Sequence, residues 1–378
     1  MSASLPIPLF KVFMPEHAQS ALQPVLHSGR LACGPQVAAF EAQCASWLGL
    51  PDAVALSDAS SALMLALFAA GVRPGDEVIV PALACSASIM PIANLFAHPV
   101  WCDVDPDTGM ATADNIAGLI SDKTKAILIC DWSGDVAKLD ETLSLARQHG
   151  LKVIEDATEA FGAERNGRRL GNLGNAADFT VYSFYASKHI NTGGEGALLL
   201  ASDPIEQKRV RHLRRFGFEP SALRLPNGDL NPQFDIPLAG FNIPMNEIAA
   251  TIGLAALPDA DRIVDTHRRN GRYYEAAFAQ ANVTGLRQLK RDERSVSAYW
   301  TYSMLAERRD DLIHKLISNG IGAQRLHVRN DGFSCFSQGR ADLPGTASFD
   351  SHNISIPCGW WMGEQELERV VQCIGSGW

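Results

Sequence analysis

Short apolar runs alternate with stretches of helical periodicity along the first two hundred residues. Runs such as AILIC and LKVIE are apolar at almost every position, which is typical of strands buried on both faces of a sheet. The alternation predicts a mainly parallel sheet covered by helices on both faces. The predicted strands are Ala53–Ser57, Glu77–Pro81, Val100–Asp103, Lys125–Cys130, Lys152–Glu155, Asp178–Phe184 and Ala197–Ala201. The predicted helices are Gln36–Trp47, Ser60–Ala70, Ala113–Ile120 and Lys138–His149.

The pattern changes before and after this region. Residues 1–35 are rich in proline and glycine, and they predict irregular structure. Residues 218–240 are rich in Pro, Gly and Asn, and a loop of this length in a compact protein usually has a function or packs on a partner. A long helical stretch, Asn246–Gln280, follows, and we expect a break in it at Pro258.

The last hundred residues predict a smaller α+β unit. We therefore expect two domains, a large α/β domain at residues 1–245 and a linking helix with a small α+β domain at residues 246–378. Trp300 and Tyr302 alternate on one of its strands, where they are candidates for core or pocket aromatics, and the core is favoured. The elements predicted in this unit are strands at Ala298–Leu305, Ile321–Leu326 and Ile354–Ile356 and helices at Arg309–Asn319 and Glu364–Cys373.

Composition and charge narrow the classes of function. A hydrophobic content of 46% with 20% charged residues suits a globular protein with a sizeable core. The net charge of −9 argues against nucleic acid or an anionic membrane as the partner. We expect a cytoplasmic protein, since no signal-peptide pattern is present and the most apolar run, Ala62–Ala70, is too short to span a bilayer. The cysteines and histidines show neither CxxC nor HExxH spacing, so we expect reduced thiols and no metal site.

The stretch 178–197, DFTVYSFYASKHINTGGEGA, contains one lysine, Lys188. This lysine follows a predicted strand and lies between the hydroxyl of Ser183 and the glycine turn at residues 193–196. An amine in this setting suits attack on a carbonyl group, and it can form a Schiff base with a cofactor. From this stretch alone, an ordinary surface lysine in a loop is an equally good interpretation.

A second candidate is the pair of carboxylates in VIEDATEAFGA, Glu155 and Asp156. Strand alternation sends the two side chains to opposite faces of the sheet. A carboxylate at the carboxyl end of a parallel strand lies where α/β folds bind ligands, and there it needs a cationic partner. A protonated pyridine nitrogen would serve, although a helix cap or a structural ion pair explains the segment as well.

A third candidate is the turn at residues 57–61, SDASS, between a strand and an apolar helix. Its backbone N–H groups and hydroxyls would lie at a helix N-terminus, which is a favourable phosphate site. A plain N-cap, which Ser and Asp supply in any case, is the alternative. Likewise, Asn242 and Asn246 in GFNIPMNEIAA would suit caps of the helix that follows the long loop.

Taken in order, these segments resemble the DegT/DnrJ/EryC1/StrS family of pyridoxal phosphate (PLP)-dependent sugar aminotransferases. The resemblance covers nearly the whole chain and fades in the C-terminal third. It implies the type I PLP-dependent aminotransferase fold and a homodimer with shared active sites. The segments that carry it are SGRLACGPQVAAFE (28–41), GVRPGDEVIVPAL (71–83), VWCDVDPDTG (100–109), HGLKVIEDA (149–157), NGRRLGNLG (166–174), SFYASK (183–188) and GGEGA (193–197).

The resemblance implies a role for each candidate residue. Lys188 would hold PLP as a Schiff base and then move the proton between substrate and cofactor. Asp156 would pair with the pyridinium nitrogen, and Glu159 occupies the place of a glutamine near the ring hydroxyl. The implied phosphate ligands are Ser183, Ser60, the backbone of Ala59 and, from the partner subunit, Asn242.

The implied reaction moves an amino group from an amino acid, usually glutamate, to the ketone of a nucleotide-linked sugar. It runs by ping-pong kinetics through the pyridoxamine form of the cofactor.

Three positions depart from the family pattern. Cys85 lies where an aromatic ring usually stacks on PLP, Asp131 where a histidine is common, and Pro244 where an arginine is usual. These departures indicate an altered substrate pocket.

Other interpretations stay open at this point. The acceptor could be a free keto-cyclitol or another small ketone rather than a nucleotide-linked sugar. A dehydratase of the same fold is a further alternative, but such family members tend to carry a histidine where this chain has Lys188. A sensor or scaffold protein would be indicated by loss of the lysine or the aspartate, and both are present.

Overall fold

A computed structural model describes residues 6–172, 176–336 and 339–378. Part of the segment predicted to be irregular, residues 1–5, and the end of the matched segment NGRRLGNLG lie outside the described residues. The strands are β1 Val54–Leu56, β2 Glu77–Pro81, β3 His98–Cys102, β4 Thr124–Cys130, β5 Lys152–Asp156, β6 Glu164–Arg165, β7 Arg168–Arg169, β8 Phe179–Ser183, β9 Ala197–Ala201, β10 Leu286–Gln288, β11 Ser295–Val296, β12 Tyr302–Ala306 and β13 Asn353–Ile356. The α-helices are α1 Ala18–Leu26, α2 Pro35–Leu48, α3 Ala59–Ala69, α4 Ser86–Asn94, α5 Ala113–Ala117, α6 Leu139–His149, α7 Pro204–Leu213, α8 Glu247–Ala256, α9 Ala260–Ala281, α10 Arg309–Ser318, α11 Pro344–His352 and α12 Glu364–Gly375.

A large sheet forms the centre of the structure, with the strand order β1-β9-β8-β5-β4-β2-β3. Strand β9 runs antiparallel to its neighbours β1 and β8, and the other pairs in this sheet are parallel. The prediction of a mainly parallel sheet is confirmed. Because parallel strands end at the same edge, the turns that follow β1, β2, β4, β5 and β8 come together there.

Helices cover both faces of this sheet, as the apolar runs predict. Successive residues of a strand face opposite sides, so Leu128 packs in the cluster that holds α3, α4 and α7, while Ile127 packs in the cluster that holds α5 and α6. Helices α2 and α8 cover the second face near β1, β9 and β8. The sheet is therefore buried on both sides and gives its carboxyl-end turns a rigid support.

The C-terminal residues form a smaller antiparallel sheet, in the order β10-β12-β13. Its core includes Tyr302 and Met304 of β12 together with Tyr274 of α9 and, from the N-terminal segment, Ile7. The beginning of α9, by contrast, packs with α8 against the large sheet. The break at Pro258 is confirmed, since a 3-10 helix at Leu257–Asp259 separates α8 from α9. The domain boundary after residue 245 stays a prediction.

Two predictions of local structure are wrong. Residues 1–35 were expected to be irregular, yet α1 forms within them because Ala18 and Val25 are buried and the helix packs on α8. Tertiary packing here outweighs the unfavourable Pro24 inside the helix. The strand expected at Ile321–Leu326 does not form, and its backbone pairs only at isolated positions with Ile7 and Ser355.

Two loops with strained backbone conformations, one after β4 and one before β12, are in contact and join the large sheet to the C-terminal unit. Ser133 and Tyr299 have positive φ angles, 58° and 47°, and Gly134 has a φ of 100°. A Cβ atom on Gly134 would lie 2.5 Å from the backbone nitrogen of Tyr299 and 2.7 Å from that of Trp300, so only glycine fits there. The amide of Ala298 also donates a hydrogen bond to the Gly134 carbonyl at 2.9 Å. This close approach positions Trp300 at the edge where the parallel strands end.

No helix in the described ranges has the length and hydrophobicity needed to cross a lipid bilayer.

Candidate active site

A cavity of about 680 Å³ opens at the carboxyl ends of the parallel strands. This volume lies within the usual range of small-molecule sites. Six of the site residues expected from the sequence line it: Ala59, Ser60, Cys85, Glu159, Ser183 and Lys188. They come from the turns after β1, β2, β5 and β8, which the topology of the sheet brings to one place.

Lys188 projects its amine into this cavity. The Nζ atom lies 3.8 Å from Oε1 of Glu159 and 3.5 Å from the centre of the Trp300 ring. Burial lowers the pKa of Lys188, while the charge of Glu159 opposes this shift. A lysine with a lowered pKa has a larger neutral fraction near pH 7 than an exposed lysine, so Lys188 suits nucleophilic attack on a carbonyl carbon.

Trp300 forms one wall of the cavity. Its Nε1 donates a hydrogen bond to the Ser187 carbonyl at 2.8 Å, and its ring stacks on Phe10 at a centroid distance of 4.8 Å. Both aromatic residues are buried, as favoured from the sequence: Tyr302 packs in the core of the small sheet, and Trp300 also lines the cavity, so it matches the pocket alternative as well. Trp300 is largely buried, but the loop with the strained Tyr299 turns it toward Lys188.

The two carboxylates at the end of β5 have different surroundings, as strand alternation predicts. Glu155 pairs with Arg165 at 2.5 Å and accepts a hydrogen bond from Thr180. Asp156 accepts a hydrogen bond from the Thr158 amide at 3.0 Å, and none of the ion pairs among the described residues includes it. Burial raises the pKa of Asp156, although hydrogen bonds from Ser88 and Thr158 oppose the shift. A nearby cation would therefore stabilise its ionised form.

Glu159 contacts a residue that the sequence analysis missed, His327. The Nε2 atom of His327 lies 2.7 Å from Oε1 of Glu159, and the Ser133 amide donates to Oε2 at 2.8 Å. Burial would raise the pKa of Glu159, but His327 and Lys188 outweigh it and lower the pKa. His327 precedes a 3-10 helix at Asn330–Gly332 and lies in a segment without a recognisable motif, so the sequence carried no local signal for it.

The turn after β1 presents the N-terminus of α3 to the cavity. Asp58 caps this helix by accepting a hydrogen bond from the Ser61 amide at 2.7 Å. The amides of Ala59 and Ser60 lie in the first turn, where helix geometry supplies no acceptor. Together with the helix dipole, they suit an anionic group such as a phosphate. The cap is therefore confirmed, it leaves the first two amides free for an anion, and the anion site stays a prediction.

PLP is the cofactor that the sequence resemblance implies, and its chemical groups can be matched to the residues at the cavity. PLP carries a phosphate, a ring nitrogen that can be protonated, and a carbonyl group. The cavity offers an anion site at Ala59 and Ser60 and a buried amine at Lys188. The buried carboxyl group of Asp156 does not line the cavity, but it accepts hydrogen bonds from Ser88 and Thr158, which do. The residues present fit the group, and the assignment of one role to each residue stays a prediction.

Four other positions named with the resemblance do not line the cavity: Asp156, Asn242, Asp131 and Pro244. Asp156 contacts the lining through Ser88 and Thr158. Asn242 is exposed, and its backbone pairs with that of Arg215. Asp131 is buried behind the cavity, where burial raises its pKa well above the usual value and the Ala137 amide donates to it at 2.9 Å. Pro244 pairs through its backbone with Leu56 of β1. An effect of Asp131 or Pro244 on the pocket would therefore act through neighbouring residues of this chain or through a second copy.

Comparisons with known proteins agree on one family. The model of the DegT/DnrJ/EryC1/StrS aminotransferase family matches residues 14–375. The GDP-perosamine synthase of Caulobacter vibrioides is 36% identical over 348 residues, which cover 90% of each chain. The crystal structure of the sugar aminotransferase CalS13 from Micromonospora echinospora aligns with a TM-score of 0.91 and 33% identity, over 98% of this chain and 100% of that chain. AtS13 from Actinomadura melliaura aligns with a TM-score of 0.92 and 34% identity, over 99% of this chain and 100% of that chain.

Asp156→Asn would keep the shape of the side chain and remove its charge. Without cofactor, we expect the variant to be at least as stable as the wild type at neutral pH. The protonated form of Asp156 stabilises the fold below its raised pKa, and that contribution is lost as the pH rises through this pKa. With PLP, we expect binding to weaken about ten- to a hundredfold, the equivalent of a charge-assisted hydrogen bond of about 1.5–3 kcal/mol.

Titration of cofactor-stripped protein with PLP, together with thermal unfolding, measures both effects. Asp131→Asn is the matched control, because it removes another buried carboxyl group that accepts its hydrogen bond from Ala137 and not from the cavity residues Ser88 and Thr158. PLP binding as tight as that of the wild type in Asp156→Asn would contradict the assignment of Asp156.

Proposed function

The chain belongs to the DegT/DnrJ/EryC1/StrS aminotransferase family, and from that premise we propose that it transfers an amino group from L-glutamate to the ketone of a nucleotide-linked keto-sugar. Members of this family are sugar aminotransferases that use PLP. The observation that carries the proposal is the buried amine of Lys188, which faces one cavity together with the helix N-terminus at Ala59, while Asp156 lies next to the cavity through its hydrogen bonds with the lining residues Ser88 and Thr158.

PLP, when bound, supplies an electron-accepting ring that stabilises negative charge on the carbon beside the transferred nitrogen. Lys188 would hold the cofactor through Nζ, and when Nζ is free the same atom would take up and return the proton of the substrate as general base and general acid. The lowered pKa of Lys188 supports this role, because a base that works near neutral pH must give up its proton there.

The other residues bind and orient the cofactor. The ionised form of Asp156 keeps the ring nitrogen protonated, and the gain of that partner offsets the cost of burying the carboxylate. The amides of Ala59 and Ser60 and the hydroxyls of Ser60 and Ser183 bind the phosphate. Cys85 lines the cavity, and burial raises the pKa of its thiol, so it remains protonated.

A nucleotide-linked sugar is the acceptor that the comparisons favour. The curated relative at 36% identity is named for a GDP-linked product, and CalS13 is described as a sugar aminotransferase. The cavity of about 680 Å³ has room for more than the cofactor ring. Its polar lining includes Ser187, Glu195 and His327, whose side chains suit hydrogen bonds to sugar hydroxyls.

A second copy of the chain completes the site in this proposal. Among the described residues that line the cavity, Lys188 and His327 are the only basic ones, although the donor carboxylates and a diphosphate carry several negative charges. Asn242 is exposed on the same chain, next to the long loop at residues 218–240, where Leu225 and Leu230 are also exposed. We infer a homodimer in which Asn242 of one copy reaches the phosphate in the cavity of the other.

Lys188→Ala tests the catalytic role. We expect amino transfer from glutamate to fall by about 10³-fold or more, because both covalent attachment and proton transfer depend on this amine. Borohydride reduction in the presence of PLP should add one cofactor mass to the wild-type chain and none to the variant. Lys123→Ala, at an exposed lysine, should behave as the wild type. Undiminished release of 2-oxoglutarate by Lys188→Ala would rule out the assignment.

Mixing two inactive variants tests the shared site. Asn242→Asp would place a carboxylate against the phosphate and weaken cofactor binding by charge repulsion. After Asn242→Asp and Lys188→Ala chains are unfolded and refolded together, half of the dimers are mixed and each mixed dimer has one intact site. We expect about a quarter of wild-type activity to return. No recovery, with mixed dimers present, would show that Asn242 serves its own chain.

A further inference from the structure

Glu159 lies between two groups that compete for one of its oxygens. We propose that His327 is a positioning residue, which occupies the Glu159 carboxylate and so keeps its ion pair with the amine of Lys188 from closing to a direct hydrogen bond. The inference rests on the proposed role of Lys188 as the amine that carries the cofactor. His327 belongs to the C-terminal unit and lines the cavity from outside the large sheet.

The distances show which group holds the carboxylate. His327 Nε2 lies 2.7 Å from Oε1 of Glu159, a normal hydrogen-bond distance, whereas Lys188 Nζ lies 3.8 Å from the same oxygen. The second oxygen accepts from the Ser133 amide at 2.8 Å. The carboxylate is thus fixed at both oxygens, and it is turned to His327 rather than to Lys188.

The groups that fix Glu159 are themselves held in place. Ser133 has a φ of 58°, and its hydroxyl lies 2.6 Å from that of Thr301. The ring of His327 packs edge-on against Trp132 at a centroid distance of 5.3 Å. Because an ionised carboxylate can only accept hydrogen bonds, Nε2 of His327 carries a hydrogen in this contact. The orientation of Glu159 therefore depends on packing between the loop after β4 and the C-terminal unit.

The negative charge of Glu159 explains why a residue such as His327 is needed beside Lys188. A glutamine at position 159 would carry no charge and would leave Lys188 unaffected, but a carboxylate at 3.8 Å favours the protonated amine. Without the N–H group of His327, Oε1 would be free to accept from Lys188. Protonation of the amine would then remove the lone pair that attacks the cofactor. The other titratable groups that face Glu159 or Lys188 are Asp156, Cys85, Cys130 and His189.

The test measures the reactivity of Lys188 itself. Full-length protein stripped of cofactor is treated with N-acetoxysuccinimide across a range of pH, and acetylation of the Lys188 peptide is followed by mass spectrometry, with the exposed Lys123 as internal reference. The midpoint of the rate against pH reports protonation of Lys188. The plateau at high pH reports access to it. Neither the sugar nor the amino donor takes part, so an error in the proposed substrate would leave this result unchanged.

We expect His327→Leu to move the midpoint up by about one pH unit, which makes acetylation at pH 7 about tenfold slower. His327→Gln should keep the wild-type midpoint, because its amide N–H can replace that of Nε2. In a Glu159→Gln background, His327→Leu should cause no shift. An unchanged midpoint in His327→Leu, or a shift of equal size in both backgrounds, would overturn the proposal. A variant with a distorted fold would change the plateau and the unfolding temperature. In that case His327→Gln is compared with His327→Asn, whose shorter amide does not reach Glu159, and equal midpoints in these two variants would overturn the proposal.

Discussion

The burial of two opposite charges at one edge of a sheet, the carboxylate of Asp156 and the amine of Lys188, is the constraint on which this site depends. Removing ionised groups from water is costly unless they gain partners. The pKa of Asp156 is raised and that of Lys188 is lowered, in both cases with burial as the largest cause. Each shift favours the neutral form, which means that the protein itself does not fully stabilise the charge of either group. A bound ligand can therefore act as the partner of each group. A protonated ring nitrogen suits the first, and a carbonyl carbon suits the second.

Contacts outside the cavity stabilise the fold around these two buried groups. Glu155, on the opposite face of β5, is neutralised by Arg165, so the carboxylate next to Asp156 adds no unpaired charge. The parallel strands deliver their turns to one edge, and the close approach of Gly134 to Tyr299 brings the C-terminal unit against that edge. Trp300 and His327 reach the cavity through this contact. The site is therefore built by two units whose sequences are far apart.

The parts of the site that the sequence could predict are those tied to strand ends. Asp156 and Lys188 follow apolar runs that identify buried strands, and the turn at residues 57–61 follows β1 in the same way. His327 could not be found by this reasoning, because its partner Glu159 is 168 residues away and no local pattern marks it. For Trp300 the sequence left both core and pocket open, because alternation on a strand cannot distinguish a core face from a cavity wall. Helix α1 formed against expectation because packing on α8 outweighed the local signal of Pro24.

The central claim is that this aminotransferase acts on a nucleotide-linked keto-sugar, and one measurement tests it most directly. The PLP-loaded enzyme is incubated with L-glutamate and a panel of keto-sugars, each offered with and without its nucleotide, together with a free keto-cyclitol. Release of 2-oxoglutarate and formation of the aminated product are followed together. The account predicts equal amounts of both products with at least one nucleotide-linked sugar and far less with the same sugar alone. Efficient amination of the free sugar or the cyclitol, with no turnover of any nucleotide-linked sugar, would contradict it.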